Sequence, residues 1–227
     1  MTDLSLERTN PHVITPLASA LLAALDRLSQ HPLCLEILAE NMLYRGGIER
    51  FIQRLFLWAF QTVPSSVFSA AIELKVEPLV GNEALDLVCY QTTTEVAALR
   101  SNGELTSTEW FHHAVGLIEM KDNWNRKSIK SDVAKIRRIR EHCVLSKRDE
   151  HEYYELLFIH TNSFDEEYNI AARIEYQLKK TLFILNKVFP NNEIVGRRDL
   201  LDAVRNPSDG TARTSFIAIL VRLHFNE

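Results

Sequence analysis

The chain has 227 residues, a formal net charge of -4, 46% hydrophobic residues and 25% charged residues. This length and composition can bury a substantial core, which excludes an intrinsically disordered protein and a disulfide-stapled miniprotein. Seven glycines and seven prolines are few for this length and argue against a turn-rich all-β sandwich. The net negative charge argues against bulk coating of nucleic acid or of an anionic membrane.

The cysteines and the apolar runs bear on the compartment. Cys34, Cys89 and Cys143 are widely spaced and form no CxxC pair, so we expect reduced thiols. The N-terminal segment lacks the apolar stretch of a signal peptide, and the longest apolar runs are far shorter than the roughly 20 residues of a bilayer span. We therefore expect a soluble cytoplasmic protein with no membrane partner.

The first quarter of the chain has helical periodicity. Leucines at helical spacing predict a helix over residues 16–29, and a second helix is expected over 33–43. After a Gly-Gly break, the apolar face of residues 48–60 predicts a third helix.

Strands dominate the middle of the chain. Short segments rich in Ile, Val and Leu predict strands over residues 68–76 and 85–90, and YELLFIH predicts another over 154–160. Between them, the apolar run 114–118 leads straight into Glu119 and is typical of a buried central strand.

Helices are expected between and after these strands. Residues 127–142 carry a narrow apolar stripe at helical spacing. Ser163 and Glu166 match a capping box that opens a long helix to about residue 189. Residues 198–205 and 211–225 are interpreted as two shorter helices.

These elements predict an α/β protein with a small central mixed β-sheet flanked by helices and with additional N- and C-terminal helices. We expect a single domain over residues 1–227. It divides into an N-terminal helical extension over 1–47, a core over 48–160 and C-terminal helices over 161–227.

Three ionisable residues stand in apolar strands. Asp86 and Glu119 have no packing reason to be there, because burying a carboxylate is costly unless a positive group meets it. Glu119 and Lys121 project from the same face of their strand, since side chains repeat every two residues. If the two strands are adjacent, Asp86 joins that pair. The alternative is a surface ion pair at the end of a strand.

Such a group suits a divalent cation. Two carboxylates and the Met120 carbonyl offer the hard oxygen ligands that Mg²⁺ or Mn²⁺ prefers, with positions left for water and a phosphate oxygen. A lysine beside them orients the attacking water and offsets charge in the transition state. This arrangement points to phosphodiester hydrolysis.

An acid in one strand, followed by (Asp/Glu)-x-Lys in the next, then a helix and a strand, resembles the PD-(D/E)xK nuclease superfamily. The matching residues are Asp86 in ALDLVCY and Glu119 with Lys121 in GLIEMK. The resemblance covers residues 49–160 and implies a restriction-endonuclease-like core of helix, three strands, helix and strand. It also implies Asp86, Glu119 and Lys121 as catalytic residues, of which Asp86 and Glu119 are metal ligands.

The resemblance further implies an acidic metal ligand from the first core helix, Glu49 or, less well placed, Glu40. The proline that gives the motif its name is replaced by Leu85. A second Glu-x-Lys, at Glu73, has no acidic strand at a suitable distance before it.

The segment over residues 121–148 is strongly basic. Ten basic and three acidic residues give it a net charge of +7, so the rest of the chain carries -11. Adjacent to an acidic site, such a segment would bind phosphates through lysine and arginine. A solvated helix face is the other interpretation. The residues expected to bind nucleic acid are Arg126, Lys127, Lys130, Arg137 and Arg138.

The leading hypothesis is a Mg²⁺- or Mn²⁺-dependent endonuclease, with DNA favoured over RNA as its substrate. Bacterial defence or mobile-element biology is the setting that the resemblance implies, and a homodimer or a protein partner that supplies specificity is compatible with it. Two alternatives stay open. One is an inactive nuclease-like fold that binds nucleic acid or protein, and the other is a helical interaction protein with an incidental sheet.

Overall fold

The structure is a computed structural model that describes residues 14–31, 48–63, 67–74, 84–93, 96, 113–122, 126–145, 151–163, 165, 167, 169–205 and 213–225. The helices in these ranges are α1 (Pro16–Ser29), α2 (Ile48–Gln61), α3 (Arg126–Leu145) and α4 (Ile170–Val188). The strands are β1 (Phe68–Leu74), β2 (Leu85–Gln91), β3 (Ala114–Asp122), β4 (Glu152–Ser163), β5 (Asn192–Arg205) and β6 (Arg213–Leu223). From α1 to β4, these elements confirm the predicted helices and strands to within a few residues at their ends.

The six strands form one mixed sheet in the order β1-β2-β3-β4-β6-β5. Neighbours are antiparallel except β3 and β4, which are parallel. A parallel pair needs a crossover connection, and α3 lies in the chain between these two strands. The predicted α/β class with a mixed sheet is confirmed, although the sheet is larger than expected.

Helices cover both faces of the sheet. Ile118 and Met120 of β3 belong to the core under α1 and α2, whereas Leu117 belongs to the core under α3 and α4. This division follows from the alternation of side chains along a strand. Glu119 and Lys121 have the parity of Leu117, so the candidate site lies on the face that α3 covers.

Helix α1 packs closely on the sheet over glycines of two strands, where a larger residue would displace leucine side chains of the helix. A Cβ at Gly196 in β5 would lie 2.7 Å from Leu22 Cδ2, and a Cβ at Gly116 in β3 would overlap Leu17. Glycine inside a strand is otherwise unfavourable, and close approach of another element is a common reason for it. Helix α1 is thus part of the central packing. The division of the chain at residues 47 and 160 stays a prediction.

The prediction of two C-terminal helices over 198–205 and 211–225 is wrong, because the described parts of these segments are strands. β6 is a central strand between β4 and β5 and is buried over almost its whole length. A strand buried on both faces has a continuous apolar run, which periodicity cannot distinguish from a buried helix. In β5, three irregularities of register against β6 disturb the alternation that would have marked a strand.

The predicted capping box at Ser163 is also wrong. Ser163 is the last residue of β4, and α4 begins at Ile170 with Asn169 as its N-cap. The Asn169 side chain accepts a hydrogen bond from the Ala172 N–H at 2.9 Å. A serine at a strand end offers the same hydroxyl as an N-cap serine, so the residue type alone does not place the helix start.

Two further expectations concern membranes and the second helix. Within the described ranges, none of the helices combines the length and hydropathy that a membrane crossing requires. A cytoplasmic location stays a prediction. The helix predicted over 33–43 lies outside the described residues.

We expect Leu25→Ala in α1 to lower the free energy of unfolding by about 3 kcal/mol, because Leu25 is fully buried and its truncation leaves a cavity. Ser19→Ala is the matched control, since Ser19 is exposed on the same helix and its replacement should change the stability by no more than about 0.5 kcal/mol. Urea denaturation followed by circular dichroism measures both. Equal stabilities of the two variants would contradict a central position for α1.

Candidate active site

Asp86 joins β2 to β3 through its side chain. Its Oδ2 accepts a hydrogen bond from the Met120 backbone N–H at 2.8 Å, and its Oδ1 accepts one from Gln53 Nε2 of α2 at 3.1 Å. The last antiparallel pair before it is Leu87 with Ile118, so Asp86 and Glu119 stand at the same level of adjacent strands. The expected convergence of these two acids is therefore present.

Glu119 is fully buried and meets a lysine that the sequence reasoning missed. Its Oε2 lies 2.5 Å from Lys135 Nζ of α3, and Lys135 also donates to the Ala84 carbonyl at 2.8 Å. The other oxygen, Oε1, has no hydrogen-bond partner among the described residues. Burial raises the pKa of Glu119 well above its ordinary value, and Asp86 adds to this, whereas Lys135 opposes it.

Lys121 forms a salt bridge with Asp132 of α3, the helix that also carries Lys135. Its Nζ lies 3.3 Å from Asp132 Oδ2, and both side chains are largely buried. Burial raises the pKa of Asp132, and the Lys121 ammonium opposes that rise. Asp132 and Lys135 are three residues apart on α3 and so lie on the same side of the helix. Asp132 contacts Lys121 of β3, and Lys135 contacts Glu119 of β3. Because Asp132 holds its ammonium, Lys121 has a fixed position beside Glu119.

Glu155 is a fourth acid of this site and lies on β4. It is directly opposite Glu119 in the parallel β3 and β4 pair and is fully buried. Neither of its carboxyl oxygens has a hydrogen-bond partner among the described residues. Burial raises its pKa well above the ordinary value, Asp132 adds to the rise, and Lys121 opposes it. Its sequence signal is the one that marked Asp86, an acid within the apolar run YELLFIH.

Six of these residues form what we call the acid–lysine cluster. Their charges act on one another, as the pKa shifts of four of them reflect. Fully ionised, four carboxylates and two ammonium groups carry a net charge of -2. Such an excess in a buried site is costly unless protons or a cation compensate it. The cluster consists of Asp86, Glu119, Lys121, Asp132, Lys135 and Glu155.

The cluster fits a divalent cation by ligand chemistry and by charge. Carboxylate oxygens are the ligands that Mg²⁺ and Mn²⁺ prefer, and the buried oxygens of Glu119 and Glu155 that lack partners are suited to meet one. Across the described part of the chain, no three His, Cys, Asp or Glu side chains form a ready-made metal-binding group. Asp86 and Glu119, the predicted pair, would offer two carboxylates to such a cation and leave positions for water and phosphate.

The remaining predicted residues lie at or near the ends of helices or on the surface of α3. Glu49 is in the first turn of α2, and Arg126 is the first residue of α3, but their side chains are outside the described part of the structure. The other four predicted nucleic-acid-binding residues are all exposed on α3. They are Lys127, Lys130, Arg137 and Arg138.

This geometry defines an α/β protein with a buried group of acids and lysines between its sheet and a basic helix. Comparison with protein-family models, curated proteins and solved structures finds no match to the chain.

We expect Glu155→Gln to raise the free energy of unfolding at neutral pH and to have little effect near pH 4.5, the ordinary glutamate pKa. The folded protein holds the Glu155 proton more tightly than the unfolded chain does. The parent therefore loses stability as the pH rises from the unfolded pKa through the folded pKa, whereas glutamine does not titrate. Urea denaturation between pH 4.5 and pH 8 measures the difference.

Glu141→Gln is the control for this comparison, because it makes the same chemical substitution at a residue that is exposed on α3. The stability difference between Glu155→Gln and the parent should widen with pH, while that for Glu141→Gln should stay nearly constant. A difference for Glu155→Gln that does not grow with pH would contradict the buried, poorly solvated environment of this carboxyl group.

We also expect the protein to bind Mn²⁺, with Asp86→Asn weakening the affinity at least about tenfold, because one charged ligand is lost. Isothermal titration calorimetry measures the dissociation constants without any nucleic acid. Asp199→Asn is the matched control, since Asp199 is exposed on β5 and paired with Arg197. Equal Mn²⁺ affinity of the parent and Asp86→Asn would argue against a site at Asp86.

Proposed function

We propose that this protein is a Mg²⁺- or Mn²⁺-dependent nuclease that hydrolyses phosphodiester bonds, with DNA favoured over RNA as the substrate. The observation that carries the proposal is the hydrogen bond from the Met120 N–H to Asp86, which brings the acid of β2 beside Glu119 and Lys121 of β3. These are the three residues on which the resemblance to the PD-(D/E)xK superfamily rests.

The order of elements supports the same proposal. From α2 to β4, the chain runs helix, three strands, helix and strand, which is the order that the resemblance implies. The three strands are antiparallel neighbours, and β4 then adds in parallel beside β3. The finer classification as a restriction-endonuclease-like core is part of the proposal.

Each residue of the site has a definite task in this account. Asp86 and Glu119 would hold the cation, which when bound activates a water molecule and offsets charge on the phosphate. Lys121, held by Asp132, presents an ammonium group that orients the attacking water and stabilises negative charge as the phosphorus–oxygen bond breaks. Lys135 positions the Glu119 carboxylate from α3.

The basic surface of α3 supplies the means of binding phosphates. Lys127, Lys130 and Arg138 are exposed on the helix whose inner side carries Asp132 and Lys135. Cations on this surface would attract the nucleic-acid backbone with a salt-dependent affinity. The helix thus contributes to the site on one side and to substrate binding on the other.

A second candidate function is an inactive binding module with the same fold. It is favoured by one observation, the short ion pair between Lys135 and Glu119, in which a protein ammonium already neutralises a proposed metal ligand. A permanent pair of this kind would make the cation unnecessary. Binding of nucleic acid without cleavage, and without Mn²⁺ binding, would support this function.

We expect the purified protein to cut DNA in the presence of Mg²⁺ or Mn²⁺, and Lys121→Ala to reduce the rate at least about 100-fold, as loss of one charge-stabilising donor does in other enzymes. Plasmid and oligonucleotide cleavage assays with both metals measure the rates, with RNA tested in parallel. Arg54→Ala is the control, because Arg54 is exposed on α2, across the sheet from Lys121. No cleavage by the parent, or equal cleavage by Lys121→Ala, would contradict the proposal.

A further inference from the structure

Helix α4 carries a row of alternating cations and aromatic rings that the sequence reasoning did not identify. The row members advance along α4 by 3, 4, 3 and 4 residues, which is the spacing that keeps side chains on one side of a helix. All five are exposed. The row, which we call the basic–aromatic row, consists of Arg173, Tyr176, Lys180, Phe183 and Lys187.

The two rings of the row are unusually open to solvent. Tyr176 and Phe183 expose 57% and 58% of their surface. The guanidinium carbon of Arg173 lies 5.6 Å from the Tyr176 ring centroid, and Lys187 Nζ lies 4.2 Å from that of Phe183. By contrast, Ile174, Leu178 and Leu185 of α4 are buried in the core on this face of the sheet. The rings are therefore not needed to pack the helix, and each has a cation beside it.

The chemistry of the row matches that of single-stranded nucleic acid. Proteins that bind single strands combine cations along the backbone with aromatic rings on which bases stack. Seven residues separate the two rings, which is about 10 Å along the helix. This distance is roughly three steps of a stacked strand at 3.4 Å per nucleotide. Stacking needs unpaired bases, which a duplex does not offer.

Other occupants fit the row less well. A second copy packed on the same row would bring cations against cations, which is unfavourable. A helix that lies in an anionic membrane inserts a broad apolar face, but the apolar face of α4 is already packed on the sheet. An anionic strand with exposed flat bases meets both the charge and the rings.

We propose that the basic–aromatic row binds a single-stranded segment of nucleic acid. The row lies on α4, which covers the same face of the sheet as α3 and the acid–lysine cluster. The inference deepens the proposed nuclease function, and it rests on that function in naming the bound strand as a substrate. The binding itself does not depend on cleavage.

The test is fluorescence anisotropy with labelled single-stranded DNA and RNA of about 12 nucleotides, within the usual site sizes of single-strand binders. EDTA is present, so that no cleavage occurs, and a duplex of the same sequence is compared. We expect the parent to prefer the single strands. The double substitution Tyr176→Ala with Phe183→Ala should weaken binding at least about 20-fold, given the effect of removing one stacking ring.

Two variants serve as controls for the rings. Tyr176→Trp with Phe183→Trp keeps both stacking surfaces and should bind within about threefold of the parent. Trp58→Ala removes an exposed ring from α2, on the other face of the sheet, and should leave the affinity unchanged. Alanine is the best helix former, and both replaced rings are exposed, so the alanine variant should keep the helical circular dichroism of the parent.

Several results would overturn the inference. The first is a folded alanine variant that binds single strands as tightly as the parent does. The second is an alanine variant that loses the parent's binding to phosphatidylserine vesicles but keeps its binding to oligonucleotides. The third is a parent that forms a dimer which the alanine substitutions dissociate.

The cleavage assay separates the two proposals. Binding through the row without cleavage by the parent would contradict the nuclease and support the row. If the parent and the alanine variant cleave single strands equally well, the result would support the nuclease and contradict the role of the row.

Discussion

The hydrogen bond between the Asp86 carboxylate and the Met120 N–H is the interaction on which the site depends. It places an acid of β2 against the backbone of β3, immediately after Glu119. The same carboxylate accepts a second hydrogen bond from Gln53 of α2, so elements from two layers fix its position. Asp86 is therefore held next to the part of β3 where Glu119 and Lys121 contact Lys135 and Asp132 of α3.

The charge at that point is out of balance. Four carboxyl groups and two ammonium groups lie between the sheet and α3, and two of the acids, Glu119 and Glu155, are completely buried. Apolar residues at these positions would pack without this electrostatic cost. Strained electrostatics of this kind are common at functional sites, where a ligand or a reaction uses them. The nuclease proposal gives the excess of carboxylates a use in holding a cation.

Sequence reasoning could identify the acids of the strands but not their partners on α3. Asp86 and Glu119 interrupt apolar runs, and Glu155 does so equally in YELLFIH. Lys135 and Asp132 gave no such signal, because each is an ordinary residue of a charged helix. Which side of α3 faces the sheet depends on tertiary packing, and the sequence pattern only loosely limits it.

The C-terminal third shows the limit of periodicity. β6 is apolar without alternation because it has neighbours on both sides and helices on both faces, and such a run resembles a buried helix. The position of a strand in the sheet is a non-local property. The basic–aromatic row on α4 could be predicted from the sequence, since its residues have the spacing of one helix face. Its interpretation as a binding surface needs the structure, which shows that the opposite face of α4 is packed on the sheet.

The net charge of the chain also conceals a feature that only the structure reveals. The chain carries -4 overall, whereas the exposed surface of α3 is basic and the acids of the site lie beneath it. A positively charged outer surface above a group of buried acids is suited to attracting a phosphate toward a cation that the acids would hold. The average charge of the chain does not reveal this separation.

The most direct test of this account is a crystal structure determined with Mn²⁺ and its anomalous diffraction. The account predicts an anomalous peak between Asp86 and Glu119, at a coordination distance of about 2.2 Å from an oxygen of each, with the Lys135 ammonium moved away from Glu119. A structure without a peak there, in which Lys135 still lies 2.5 Å from Glu119, would contradict it.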